Sequence, residues 1–427
     1  NTMRRSLTLV LTLAGALLLT AALLRSVAAA SPTPGTHPAA HPSPATQRGS
    51  LGTKMAAPAQ GCEDGEQASG AKYRICLPAG PWDDLVVYAH GYMAPDRPVE
   101  IPEDQMSLPG WQFTVDQIVT SMGYAFATTS YYTNGLAVLP AMSDLLDLVH
   151  IFTTTRGVPD NVYLVGVSEG GLITALSVEQ HPDVYAGGLA MCGPYGDFRG
   201  QINHFGDFRV VFDYFFPDLM PGDPLSIPTT FPDEWQSGYF ADTVLPEIIS
   251  PTNAISVSQL LTVTSVSPYT FAPPTSTNSI QQLLWYNVYA TNDGIAKLGG
   301  QPFDNQDRVY AGSQNDARLN DHVTRIGADQ VALDEIEAHY QTTGKLSVPL
   351  VTLHTTGDEV VPYWHAFDYR DKVVAANKSL LHEHIEVDGH GHCAFGFTDI
   401  MLAFNTMVDM VNNPPSYVFL PAIVRAP

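Results

Sequence analysis

The sequence predicts an α/β fold: a mostly parallel sheet with helices on both faces, interrupted by a large, mainly helical insertion. Three observations carry this. Short, continuous apolar runs recur, the pattern of strands covered on both faces. Longer stretches with helical spacing stand between them, so strand and helix alternate. The alternation stops near residue 195 and resumes near 346, a gap of roughly 150 residues, too long for a loop.

Taken in order, Lys72–Leu77 reads as a strand and Asp84–Ala89 (DLVVYA) as a buried one. Phe113–Met122 has helical spacing and ends at Gly123, and Tyr124–Thr129 is again strand. Val138–Thr154 is a helix with Leu145, Leu148, Val149 and Phe152 on one face. Asn161–Val167 is a buried strand, Leu172–Gln180 a helix and Ala186–Cys192 a strand. Within the insertion, Ser256–Val263, Ile280–Tyr289 and Asp329–Gln341 have helical character. Alternation returns with Pro349–His354 as strand, Tyr363–Ala376 as helix, Leu381–Val387 as strand and Phe397–Val411 as helix. One sheet domain, 61–194 with 346–413, is therefore expected to carry residues 195–345 as a cap, with 414–427 as a C-terminal tail.

The flanks and the charge narrow the function. Arg4 and Arg5 precede an apolar run from Leu7 to Leu24, and Ala28, Ala29 and Ala30 follow. That order predicts a secretory signal over residues 1–30; an uncleaved membrane anchor is the competing reading. Residues 31–60, rich in Pro, Ala, Ser and Thr, read as a disordered linker. A net charge of −23 repels phosphate backbones, so no nucleic acid partner is expected. Nor is a membrane an obligatory partner. The four cysteines, Cys62, Cys76, Cys192 and Cys393, favour disulfides in an exported chain, with three connectivities open. Cys62 and Cys76 are close enough to staple a hairpin, which leaves Cys192 with Cys393. Four buried free thiols are the alternative.

Chemistry enters at Gly166-Val167-Ser168-Glu169-Gly170-Gly171. This G-x-S-x-G stands between a buried strand and a helix, the context in which a serine projects from a tight turn. Gly166 and Gly170 give clearance, and the helix start behind Ser168 favours negative charge. A serine nucleophile needs a base, and the base an orienting acid. Asp358 lies in Gly357-Asp358-Glu359-Val360-Val361-Pro362, just beyond a predicted strand. A Gly-Asp pair by itself is an ordinary turn; its place in the topology makes Asp358 the candidate acid, with Glu359 as local competitor. The base is expected at His392, after Gly391 and before Phe395, with His390 as its rival. Two oxyanion donors are expected, the backbone N–H groups of Glu169 and Tyr92, the latter in the loop His90-Gly91-Tyr92. The Tyr92 ring is a candidate wall of the acyl site, and His90 reads as structural.

These motifs, in this order, resemble the α/β-hydrolase superfamily, chiefly secreted esterases and lipase-like or prolyl-oligopeptidase-like serine hydrolases. The resemblance covers about 72–193 and 346–412 and implies Ser168 as nucleophile, Asp358 as acid and His392 as base. It also places Tyr92 and Glu169 at the oxyanion hole. The insertion matches no recognised cap. A Cys192–Cys393 disulfide would pin the histidine loop, as in feruloyl-esterase-like and tannase-like enzymes.

Function is therefore expected to be hydrolysis of small or polymeric carboxylic esters, with an exopeptidase of prolyl-peptidase type or a non-catalytic exported binding protein as alternatives. The insertion holds Trp235, Tyr239, Phe240, Trp285, Tyr286 and Tyr289, with Phe215 and Phe216 near its start. Trp235 and Trp285 are expected to contact an apolar or aromatic acyl group; otherwise these rings form the cap's own core. No cofactor is required. A metal reading of His382, His384, His390 and His392 lacks carboxylate partners and an H-E-x-x-H pattern. Asp304, Asn305 and Asp307 have no recognised calcium-loop spacing and read as a solvated turn.

Overall fold

A computed structural model of the chain describes residues 61–107, 112–266 and 275–414. The predicted signal (1–30), the linker (31–60) and all but the first residue of the tail lie outside them. Eight strands form one sheet: β1 (Cys62–Glu66), β2 (Lys72–Cys76), β3 (Leu85–Ala89), β4 (Ala125–Thr129), β5 (Val162–Val167), β6 (Gly187–Met191), β7 (Leu350–Gly357) and β8 (His382–His390). Their order is β1-β2-β4-β3-β5-β6-β7-β8. β2 pairs antiparallel with both β1 and β4, and every other pairing is parallel.

The apolar runs are continuous because successive side chains enter different cores. Leu85, Val87 and Ala89 of β3, with Val162 and Leu164 of β5, join one cluster. Val86, Tyr88, Tyr163 and Val165 join the other. The first cluster is covered by α2 (Val138–Arg156), α3 (Glu169–Gln180) and α11 (Trp364–Ala375), which contribute Leu145, Leu148, Leu172, Leu176, Tyr369 and Val373. The second lies under α1 (Val115–Ser121) and α12 (Phe397–Asn412), through Val119, Phe404 and Met407.

Between β6 and β7 the chain forms α4 (Phe198–Phe215), α5 (Phe231–Gln236), a π-helical turn (Phe240–Val244), α6 (Leu245–Ile248), α7 (Ala254–Val263), α8 (Thr275–Lys297), α9 (Asp316–His322) and α10 (Gln330–His339). Much of this insertion has its own core, from Phe208 to Val323. Not all of it is cap. Leu298, Ala332, Ile336 and Tyr340 pack into the sheet domain's core, as does Phe198 at the start of α4, so the separately packed cap is narrower than 195–345.

Two long helices of the insertion differ from expectation, and the short α5, α6 and α9 were not expected. α4 was not legible because glycines break its apolar spacing. They are needed for close packing: a Cβ on Gly206 would lie 2.2 Å from the Phe303 ring, and one on Gly200 2.8 Å from Trp364. α8 runs well beyond the expected Ile280–Tyr289 because its flank is polar. There Asn287 is buried by bonding to Arg209, the Pro224 carbonyl and Thr291. Cys62 is bonded to Cys76 and Cys192 to Cys393. The first bridge joins directly opposed residues of β1 and β2.

Candidate active site

The site lies at the carboxyl ends of the parallel strands, where open α/β sheets gather their functional loops. Ser168 follows β5 directly and sits at φ 58°, ψ −122°. A left-handed φ on a non-glycine residue is costly, and here the surroundings fix it. The Ser168 N–H donates to the Met191 carbonyl at 2.9 Å, and its own carbonyl accepts from Gly171 N–H at 2.8 Å. The turn is so tight that a Cβ on Gly166 would lie 1.9 Å from the Gly170 carbonyl oxygen, and one on Gly170 2.1 Å from that of Ala89.

His392, beyond β8, and Asp358, beyond β7, complete a line of contacts. His392 Nε2 is 2.8 Å from Ser168 Oγ, and His392 Nδ1 is 2.8 Å from Asp358 Oδ2. Asp358 is buried. Its Oδ1 accepts N–H bonds from Val360 at 3.0 Å and Val361 at 2.9 Å, and its Oδ2 is 3.6 Å from His354 Nε2. Burial opposes its charge, but attraction to His392, the nearby His354 and the hydrogen bond with His392 outweigh it. The carboxyl is held well below its ordinary range. For His392 the balance has the opposite sign: burial disfavours the imidazolium, but Asp358 and then Glu359 outweigh it and raise its pKa.

The competing residues face elsewhere. Glu359 is buried and accepts from Gln282 Nε2 of α8 at 3.1 Å; burial, then Asp358, push its carboxyl up to about 7. His390 is exposed. His382 Nε2 and His384 Nδ1 each lie 2.9 Å from Thr352 Oγ1, and His384 Nε2 is 3.0 Å from the Tyr363 hydroxyl. Burial holds both imidazoles neutral. His90 is buried, stacks on Tyr131 at 4.0 Å and bonds the Gly91 carbonyl through Nδ1 at 2.8 Å. Asn305 bonds Tyr310, the Thr324 carbonyl and Ile326 N–H, while Asp304 accepts from Gln306 N–H at 3.1 Å, so these side chains knit their own loop.

The loop after β3 passes over the serine: a Cβ on Gly91 would be 3.1 Å from Ser168 Cβ. Gly91 N–H donates to Gln105 Oε1 at 2.7 Å, and Gln105 Nε2 donates to the Tyr92 carbonyl at 3.2 Å. Glu169 begins α3, so its N–H has no carbonyl within the helix. Its side chain is buried, with Oε1 accepting Ala137 N–H at 2.9 Å; burial pushes the carboxyl up to about 8.

Ser168, Glu169 and Tyr92 line a cavity of about 150 Å³ beneath the insertion. Its walls are mostly apolar, from residues such as Phe198, Ile202, Phe205, Leu225, Leu298 and Phe303. Trp235 and Trp285 do not line it, a correction to the expected acyl contacts. Trp235 is buried in the cap core between Phe231 and Phe240. Trp285 also faces that core, and the next residue takes its place: adjacent helical positions point about 100° apart, so Tyr286 enters the cavity. The missed signal was this phase on α8, which only the direction of packing fixes. The Cys192–Cys393 bridge abuts the imidazole, with Cys393 Sγ 3.5 Å from His392 Nε2.

No family model matches the sequence, and no curated protein matches it. Similar solved structures include an acylaminoacyl peptidase of Pyrococcus horikoshii, 12% identical, covering 85% of this chain and 43% of that one at a TM-score of 0.40. Est1E from Butyrivibrio proteoclasticus is 12% identical, covering 83% and 100% at 0.37. Alpha/beta hydrolase domain-containing protein 10 from mouse is 13% identical, covering 83% and 99% at 0.39. The chain spans 38% and 43% of the length of two acylaminoacyl peptidases it is similar to. Likenesses this distant bear on neither substrate nor activity. Strand order, the glycine-flanked elbow after β5, and the sequence of serine, acid and histidine at the ends of β5, β7 and β8 give this chain the α/β-hydrolase fold.

Proposed function

We propose that this protein is an exported serine hydrolase that cleaves carboxylic esters with small apolar or aromatic acyl groups. The observation that carries this reading is the unbroken contact line Ser168–His392–Asp358 opening into an apolar cavity. Ser168 Oγ attacks the acyl carbon while its proton passes to His392 Nε2, and Asp358 stabilises the imidazolium. The N–H groups of Glu169 and Tyr92 receive the oxyanion. His392 returns the proton to the leaving alkoxide, and water then cleaves the acyl-enzyme by the same route. A cavity of about 150 Å³ suits a group the size of one aromatic ring, which favours a compact acyl group over an extended peptide. The two disulfides support export; among the described residues no helix is long and apolar enough to cross a membrane.

A panel of p-nitrophenyl esters from acetate to laurate, with benzoate, set against aminoacyl and prolyl p-nitroanilides tests the reading. Highest kcat/KM is expected on esters of about six carbons or benzoate. Preference for the prolyl anilides would replace the esterase with the exopeptidase, and failure of Ser168 to take a fluorophosphonate would favour a binding protein.

The pH profile follows from His392. The base must be neutral to accept the serine proton, and its pKa is raised above 6.5. The enzyme is therefore expected to lose kcat/KM on acidification, with an inflection above pH 6.5. Glu359→Gln removes part of the attraction that sustains the imidazolium, so the inflection should move to lower pH. A pH–rate series on both proteins reads the shift.

A further inference from the structure

The insertion reaches the reacting atoms through α8, which is fixed to three loops around the site. Gln282 donates to Glu359 beside Asp358, and the Tyr92 hydroxyl donates to the Tyr289 carbonyl at 3.3 Å. Asp293 Oδ2 accepts Leu136 N–H at 2.7 Å, and Lys297, paired with Asp293, donates to the Asn134 carbonyl. Tyr286 stands between the first two anchors. Its ring stacks on Phe205 at 4.8 Å, meets Trp285 edge-on at 5.0 Å and lies 5.6 Å from Tyr92. Rings on three sides set its direction, and its hydroxyl interacts with Ser168 in the cavity.

Other polar side chains of the cavity wall are engaged elsewhere. Gln201 bonds the Val360 carbonyl and His365. Asn287 holds Arg209, the Pro224 carbonyl and Thr291. Gln301 bonds the Phe303 and Gly327 carbonyls. The Tyr286 hydroxyl instead faces the nucleophile.

We infer that Tyr286 is a catalytic residue supplied by the insertion, its O–H donating a hydrogen bond to the oxyanion alongside the N–H groups of Tyr92 and Glu169. The inference rests on the serine-hydrolase reading above. As the Ser168 Oγ–C bond forms, the Oγ proton moves to His392 and the carbonyl π pair moves to oxygen. Tyr286 keeps its proton throughout, because burial raises its pKa well above the ordinary phenol value, so its O–H stays available to donate. The helix that shapes the acyl pocket thereby also takes part in the chemistry.

Tyr286→Phe keeps the ring stack and removes the donor. On p-nitrophenyl acetate, kcat per fluorophosphonate-labelled site is expected to fall about 10²-fold with KM within about threefold. The labelling rate should fall with it, because the phosphonyl oxygen occupies the oxyanion position, while the pH inflection stays in place. Referring kcat to labelled sites removes any misfolded fraction from the comparison. A wild-type kcat overturns the inference, and so does a raised KM at unchanged kcat, which would make Tyr286 only a wall. Ser168→Ala run in parallel separates the two levels. If it stays active, the hydrolase reading fails; if it is inert while Tyr286→Phe matches wild type, the inference alone fails.

Discussion

Ser168→Ala is expected to lower kcat on p-nitrophenyl esters by about 10⁴-fold or more with little loss of fold stability. Ser168 Oγ lies 2.8 Å from His392 Nε2, and alanine removes only that oxygen while keeping the Cβ. The elbow is held by backbone bonds to Met191 and from Gly171, which alanine retains. His392→Ala should cost a similar factor, and the double variant little more than either single one, because the groups act as one unit. Steady-state kinetics with thermal melts on all three proteins checks this. Losses that multiply in the double variant would mean that the two side chains do not share a step.

The second large effect is structural. Gly170→Ala puts a methyl group 2.1 Å from the Ala89 carbonyl oxygen and 2.7 Å from that of His90. Both obstacles are backbone, so no side chain can swing aside. Either α3 moves away from β3 or the loop carrying Tyr92 shifts. A destabilisation of about 3 kcal/mol is expected, together with loss of activity, since the same loop passes over Ser168. Thermal melts should show a fall of about 6 °C. A variant as stable and active as wild type would mean that the elbow is looser than these distances imply.

Much of this was legible in the sequence because it is local. The buried strands announced themselves as continuous apolar runs, since Leu85, Val87 and Ala89 enter one core and Val86 and Tyr88 the other. The elbow was visible because a turn this tight admits only glycine at 166 and 170. Asp358 and His392 could be named because each follows its strand directly. The insertion was harder to read. Gly200 and Gly206 are packing residues that look like helix breakers, so α4 was hidden, and the polar flank of α8 concealed its length.

By itself, then, the sequence determined the strand–helix alternation, the elbow and the order of the reactive groups, because backbone sterics and apolar patterning act between near neighbours. Tertiary structure alone decided which aromatic rings meet the cavity, placing Tyr286 beside Ser168 and turning Trp285 and Trp235 into the cap core. It also decided which parts of the insertion join the sheet domain, where Ala332, Ile336 and Tyr340 pack. The physical reason is that an apolar helical face specifies burial but not the partner it is buried against, and that choice is made only when distant segments pack together.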